Sequence, residues 1–321
     1  MEQKIYDIGE HEIRAIRRGS PEYPARLAEL RGMPETLYVL GLLPSDSIPT
    51  VAIVGARMCS PYGHRIAAEF ATALALRGVQ IISGMALGID GYAQQSAVDA
   101  GGTSFAVLGG GVDICYPSTN LGLYRQLRKT GGILSEQPPG TPSLPYHFPA
   151  RNRVISGLAD IVLVVEARQR SGSLITADFA LEQGKDVFAV PGRVGDALSD
   201  GCNRLIAQGA SIACDPQAVI DRLDTLRCSV PLAESKSWTE SVRRKSIKKV
   251  TDDPSLSAPA KRVYRLIPAG GSADAETLGR EAGLPAEALS AAVMELVLSG
   301  YVDEVGKDRF TRSCGVNRHR I

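Results

Sequence analysis

Five short runs of almost wholly apolar, largely β-branched residues recur through the middle of the chain, at 51–54, 79–82, 105–108, 161–165 and 187–190. A strand with one face in water alternates apolar and polar residues. A strand without that alternation is buried on both faces, as in a parallel sheet covered by helices. Between the runs the period changes: Ile66, Phe70 and Leu74 recur every fourth residue from Pro61 to Arg77, and Leu174, Ala177 and Leu181 mark a second helical stripe. Strands alternating with helices over residues 50–226 give an α/β domain with an extended Rossmann-like, doubly wound sheet.

The flanks read differently. Residues 1–49 form an N-terminal lead-in segment. Residues 227–257 are rich in Ser, Thr, Pro and charge, with a basic run of Arg243, Arg244, Lys245, Lys248 and Lys249. They read as a flexible linker, or as an accessory contact for DNA or another anionic partner. Helical periodicity returns over 258–312, where Val263, Leu266 and Ile267 share one face and Leu289, Val293, Leu296 and Val297 another. With a turn and short hairpin after Ser299, this is a small winged-helix-like domain; residues 313–321 are a tail. Its third helix carries Glu287 and Glu295, and no Lys or Arg occurs between Glu281 and Gly306. A DNA-reading helix needs cationic or amide side chains, so the domain reads as a protein-contact or regulatory module.

Composition narrows the function. Of 321 residues, 44% are hydrophobic and 22% charged, ordinary values for a globular core, and the formal net charge is +1. Any nucleic acid is therefore held by a local basic patch, not by bulk attraction. No run approaches the roughly 18 apolar residues of a membrane span, and Met1-Glu2-Gln3-Lys4 lacks the layout of a signal peptide. A cytoplasmic protein without membrane contact is expected. The six cysteines (Cys59, Cys115, Cys202, Cys214, Cys228 and Cys314) form no C-x-x-C pair, and the four histidines show no His-Glu-x-x-His spacing. The cysteines read as small buried hydrophobes, and neither a metal nor another cofactor is expected.

Glycines cluster where the strands end, in Val54-Gly55-Ala56-Arg57, in Ser83-Gly84-Met85-Ala86-Leu87-Gly88-Ile89-Asp90 and in Leu108-Gly109-Gly110-Gly111-Val112-Asp113. In an open parallel sheet ligands bind beyond the carboxyl ends of the strands, where strand order reverses. Glycine lets backbone approach a ligand closely, and helix N-termini aim free N–H groups at anions. A phosphate-binding edge is expected, although turn geometry accounts for any single glycine. Neither the dinucleotide fingerprint G-x-G-x-x-G after the first strand nor the Walker sequence is present. Instead Phe148-Pro149-Ala150-Arg151-Asn152-Arg153 stands ahead of an apolar helix, and Ser171-Gly172-Ser173 opens another. Guanidinium groups pair with phosphate and an aromatic face stacks an unpaired base. A core ring at Phe148, and structural ion pairs of Arg151 and Arg153 with Asp90, Glu136 or Glu166, are the competing readings. For Ser171, Gly172 and Ser173 the choice lies between an anion nest and simple helix capping.

Taken in order, the three glycine loops, the stretch through Ile114-Cys115-Tyr116-Pro117, Phe148 to Gly157, Ser171 to Ala177 and Phe188-Ala189-Val190-Pro191-Gly192 resemble the DprA/Smf DNA-processing family, continuously over about 21–226. Tyr23-Pro24 to Leu37-Tyr38 resembles that family's lead-in. The resemblance implies a non-enzymatic protein that binds single-stranded DNA entering by natural transformation. It implies a homodimer that loads the RecA recombinase onto the strand and displaces single-strand-binding protein. It places the DNA pocket on Gly55, Arg57, Ser83, Gly84, Phe148, Arg151, Asn152 and Arg153; Lys185 is added on charge alone. The chain departs from the family at Ala56, where many members carry Ser, and at Leu87, where many carry Arg. With little chain ahead of Tyr23, the family's helical N-terminal domain is expected to be missing or vestigial. Leu205, Ile206 and Ile212, near the last strand, are the candidate dimer contacts. The alternative function is a nucleotide phosphoribohydrolase on the same architecture, with Asp90, Asp113 and Glu136 as acid or base groups. It would need a Pro-Gly-Gly-x-Gly-Thr loop, of which only Pro191-Gly192-Arg193 is present.

Overall fold

In the computed structural model, which describes residues 12–228, 256–267, 272–299, 301–306 and 309–312, two strands precede the apolar runs. These are β1 (Arg14–Arg17) and β2 (Thr36–Gly41), flanking the short helix α1 (Ala25–Ala28). The runs themselves form β3 (Thr50–Val54), β4 (Gln80–Ser83), β5 (Ser104–Val107), β7 (Ile161–Val164) and β8 (Asp186–Ala189), joined by β6 (Gly132–Ser135) and β9 (Ser211–Ile212). Among the described residues these make one sheet in the order β1-β2-β6-β5-β4-β3-β7-β8-β9. From β6 through β9 the pairs are parallel, whereas β2 runs antiparallel to β6 and β1 to β2.

The helices are α2 (Pro61–Leu76), α3 (Ile89–Asp99), α4 (Leu121–Thr130), α5 (His147–Leu158), α6 (Gly172–Glu182), α7 (Asp200–Ala207) and α8 (Pro216–Cys228). Because side chains alternate along a strand, Ala52, Val54, Val162 and Val164 pack on one face with Val154, Ile155 and Ala177. Val51, Ile53, Ile161 and Leu163 pack on the other with Phe70, Leu74 and Ala93. Helix α2 starts where its sequence dictates: Ser60 Oγ accepts from the Gly63 N–H at 3.1 Å and Pro61 occupies the first turn.

The lead-in is part of the sheet. Strand β2 pairs with β6 from Tyr38↔Ser135 to Gly41↔Gly132. Arg26 pins α1 beneath it through ion pairs to Asp46 and Asp160 and bonds to the carbonyls of Leu158, Asp46 and Ile48. Cys115 and Cys202 are buried as expected. Cys214 is exposed and Cys59 half-buried, which corrects the reading of all the cysteines as buried.

The second unit has its own core of Val263, Ile267, Leu278, Val293, Leu296 and Val302. Its helices Ala258–Leu266, Ala275–Ala282 and Ala286–Leu298 are closed by a hairpin of Val302–Gly306 and Arg309–Arg312. A third strand, Ser272–Asp274, for which periodicity gives no sign, pairs with the second arm of that hairpin. Glu295, one of the two acidic residues that set the third helix apart from a DNA reader, accepts from Ser257 N–H at 2.6 Å and its hydroxyl at 2.5 Å, fastening the first helix's cap to the third helix. The basic run of the linker and the tail lie outside the described residues.

Candidate nucleic-acid interface

The chain runs β3, β4, β5, β6 toward one side of the sheet and returns to lay β7 on the other side of β3. The loops after β3 and β7 therefore part, and a cleft opens at the reversal. It encloses about 710 Å³ and is lined by Gly55 and Arg57 after β3, Asp90 of α3, Phe148, Arg151 and Asn152 of α5, and Arg168 to Ser173 at the start of α6. Gln169 alone of that last stretch is not part of its lining.

Arg151 forms the floor. It is 5% exposed, and its guanidinium donates to the carbonyls of Gly84 and Val107, at the ends of β4 and β5, and to Asn152 Oδ1. Burial pulls it down to about 10, opposed by the nearby Asp90 carboxylate, so it stays charged at neutral pH. Burial pushes the Asp90 carboxyl up, against the pull of Arg151 and the Gly84 N–H donated to it at 3.0 Å.

Two glycines make this floor possible. A Cβ on Gly84 would lie 2.6 Å from Arg151 Nη2, and one on Gly109 would lie 3.0 Å from the Phe148 ring. The glycine loops thus give way to the protein's own arginine and ring. The half-buried Phe148 ring has the Arg57 guanidinium 5.1 Å from its centroid, Arg151 at 5.9 Å and Tyr116 at 5.6 Å. Arg57, Arg168 and Arg170 are exposed. Among the described residues no carboxylate lies within 4 Å of any of the three. The ring and the exposed cations thus line one cleft, Arg57 against the ring and Arg168 and Arg170 at the start of α6.

Helix α6 begins at this edge. Ser171 Oγ accepts from Ser173 N–H at 3.4 Å and lies 2.7 Å from Ser173 Oγ, while Asn152 Nδ2 donates to the Gly172 carbonyl at 3.1 Å. Asn152, with its oxygen on Arg151 and its nitrogen on α6, positions the two helices.

Several expected contacts fall elsewhere. Ser83 is fully buried, its hydroxyl donating to the Ile53 carbonyl at 2.6 Å. Arg153 sits two residues after Arg151 on the same helix, about 200° around it. It pairs with Glu136 at 2.6 Å and donates to the carbonyls of Gly32 and Ala150. The stretch 148–153 was expected ahead of a helix; it lies inside α5, and so the two arginines diverge. Lys185 precedes β8, at the opposite end of the strands from the cleft; burial lowers its pKa, with Asp160 opposing. Of the candidate dimer contacts, Leu205 is buried in the core and Ile206 packs partly against it. Ile212, on the edge strand β9, is 50% exposed. The acid–base candidates are all engaged: Asp90 with Gly84, Asp113 with the Gly140 N–H at 2.9 Å, Glu136 with Arg153. Among the described residues no cluster of His, Cys, Asp or Glu is suited to a metal ion, and no helix is long and apolar enough to cross a membrane.

Arg168 and Arg170 were missed. Their signal lies in Glu166-Ala167-Arg168-Gln169-Arg170, a charged stretch between the fourth apolar run and the Ser171 cap. What cannot be read there is that β7 lies beside β3.

Residues 14–224 match the family described as DNA recombination-mediator protein A. The chain is 38% identical over 302 residues to protein Smf of Escherichia coli (strain K12), covering 93% of this chain and 78% of that one. It is 44% identical over 198 residues to DNA processing protein DprA of Streptococcus pneumoniae, covering 62% and 70%. The X-ray structure of the S. pneumoniae protein aligns with a TM-score of 0.62 at 41% identity, over 65% of this chain and 74% of that chain. DNA processing protein A from Helicobacter pylori, solved to explain its single-stranded DNA binding mode, aligns with a TM-score of 0.60 at 29% identity, over 67% and 96%.

Proposed function

We propose that this chain, which belongs to the DprA/Smf family of DNA recombination mediators, binds single-stranded DNA in the cleft at the β3–β7 reversal. The observation that carries the reading is one cleft lined by both an aromatic ring and cations without carboxylate partners among the described residues. Phe148 offers a ring to an unpaired base, while Arg57, Arg168 and Arg170 stand free of carboxylates to take phosphates. Arg151 acts from beneath, as a fixed positive charge. The H. pylori relative's single-stranded DNA binding supports the assignment.

The finer role follows the family resemblance: a cytoplasmic homodimer that receives DNA in natural transformation, displaces single-strand-binding protein and loads RecA. We read the protein as a holder of the strand and not a catalyst, since Asp90, Asp113 and Glu136 are occupied by bonds that the fold uses.

The test is fluorescence anisotropy of labelled oligo-dT across a salt series. Three phosphate contacts at about −0.7 each give a log–log slope of about −2, so affinity falls roughly twentyfold between 50 and 200 mM salt. Arg168→Ala/Arg170→Ala should weaken binding and flatten the slope. A folded wild-type protein that ignores oligo-dT at low salt would sink the proposal.

A further inference from the structure

A second groove of about 410 Å³ opens beside the first, between α6 and α7. Arg170, Ser171, Gly172 and Ile175 line both, so the two adjoin along the start of α6. Its walls are two helical faces. Ser171, Leu174, Ile175 and Asp178 recur at three- and four-residue spacing along α6 and its cap, and Gly201, Arg204, Leu205 and Gln208 do so along α7. Each wall is roughly 10 Å long, seven residues at 1.5 Å rise.

Gly201 sets the geometry. A Cβ there would lie 2.6 Å from the Ala167 carbonyl oxygen, so only glycine lets α7 start directly against the loop bearing Arg168 and Arg170. One turn on, the exposed Arg204 faces the groove, and among the described residues no ion pair holds it. Leu174 and Leu205 give the groove an apolar lining, Gln169 and Gln208 supply neutral hydrogen-bonding groups, and Asp178 on α6 supplies its one carboxylate.

On the single-stranded DNA reading, we infer that a strand held in the main cleft continues across Arg170 and the first turn of α6 into this groove, where Arg204 takes a backbone phosphate. The occupant is a polyanionic chain because Arg170 borders both cavities, with Arg57 and Arg168 in one and Arg204 in the other. A free mononucleotide fills one cavity or the other; only a chain spans both. Asp178 repels the next phosphate and marks the end of the favourable path.

The experiment compares labelled dT3, one nucleotide for each exposed cation of the main cleft, with dT20, using the full chain and the variants Arg204→Gln and Asp178→Asn. Arg204→Gln should weaken dT20 about threefold, the scale of one exposed charge contact, and reduce its salt slope by about 0.7. Binding of dT3 should stay at the wild-type value. Asp178→Asn should tighten dT20 about twofold, again sparing dT3. Unchanged dT20 binding in Arg204→Gln, or equal weakening of both oligonucleotides, overturns the groove assignment. So does an altered sedimentation coefficient of Arg204→Gln without DNA, which would make the groove a contact with a second copy. In all three cases wild-type binding of dT3 keeps the main cleft intact, whereas failure of the wild type to bind either oligonucleotide removes the underlying reading.

Discussion

Arg153→Ala removes a 2.6 Å ion pair to Glu136, in which both side chains are about four-fifths buried, together with bonds to two backbone carbonyls. Leaving Glu136 without its cation in a partly buried site costs about 2–3 kcal/mol, between the values for exposed and fully buried pairs. For a unit of this size that lowers Tm by roughly 5–10 °C. The side chain points away from the cleft, so oligo-dT affinity, measured by anisotropy well below the melting transition, should stay within about twofold of wild type. Arg57→Ala is the converse. Its guanidinium is exposed and lies 5.1 Å from the centre of the Phe148 ring, so the stability cost is under about 1 kcal/mol. It removes one phosphate contact and one wall of the base-stacking site, about tenfold in affinity, with a salt slope shallower by about 0.7. If Arg153→Ala melts like wild type but loses DNA as Arg57→Ala does, the division of labour between the arginines is wrong.

Three further outcomes follow from the same geometry. Gly84→Ala drives a methyl group into the Arg151 guanidinium at 2.6 Å, and should cost about 1–3 kcal/mol in thermal or denaturant unfolding, with DNA affinity falling as the floor shifts. Phe148→Leu keeps much of the packing volume but loses the ring face, and anisotropy should show about tenfold weaker oligo-dT binding with a nearly unchanged salt slope. Iodoacetamide followed by peptide mass spectrometry at pH 8 should label the exposed Cys214 and spare Cys115 and Cys202, whose thiols burial pushes up to about 11 and about 12. Their labelling should begin only as pH climbs toward those values, or on unfolding.

The parallel core was legible because an unbroken apolar run has few other uses; 51–54 and 161–165 lie side by side as β3 and β7 almost residue for residue. Strand β6 was not, since Gly-Ile-Leu-Ser offers two apolar residues, and β9 is two residues long. Nor was the joining of the lead-in to the sheet, because β2 finds its partner nearly a hundred residues away. At the candidate site, the motifs come together at one edge but fall in two layers. The residues most specific in pattern, Gly84, Arg151 and Asn152, lie beneath the surface, where close packing demands one residue type. The free cations Arg168 and Arg170 show only as charge in the stretch 166–170, because an exposed side chain leaves its neighbours unconstrained. The divergence of Arg151 and Arg153 needed only the assignment of 147–158 as helix, since side chains two apart face different ways.

That layering predicts a pH response of the cleft. Beneath the surface arginines lie one buried guanidinium and one buried carboxyl, Arg151 and Asp90, in a medium where charge is poorly screened. Arg151 remains cationic through the physiological range. Asp90, whose pKa burial raises above the usual carboxylate value, gains its proton at a higher pH than an ordinary aspartate. The sign is fixed: as pH falls toward that raised pKa the negative charge under the cleft is lost, its potential becomes more positive, and a bound phosphate is held more tightly. Asp90→Asn removes that charge at every pH while keeping an oxygen to accept the Gly84 N–H. Anisotropy at constant ionic strength from pH 8 to pH 5 should therefore show wild-type affinity rising toward that of Asp90→Asn, with the variant tighter at pH 8 and flatter throughout. A constant ratio between the two across that range would mean that Asp90 does not change protonation within it, or that its charge does not reach the bound strand, and the electrostatic role given to this floor would fall.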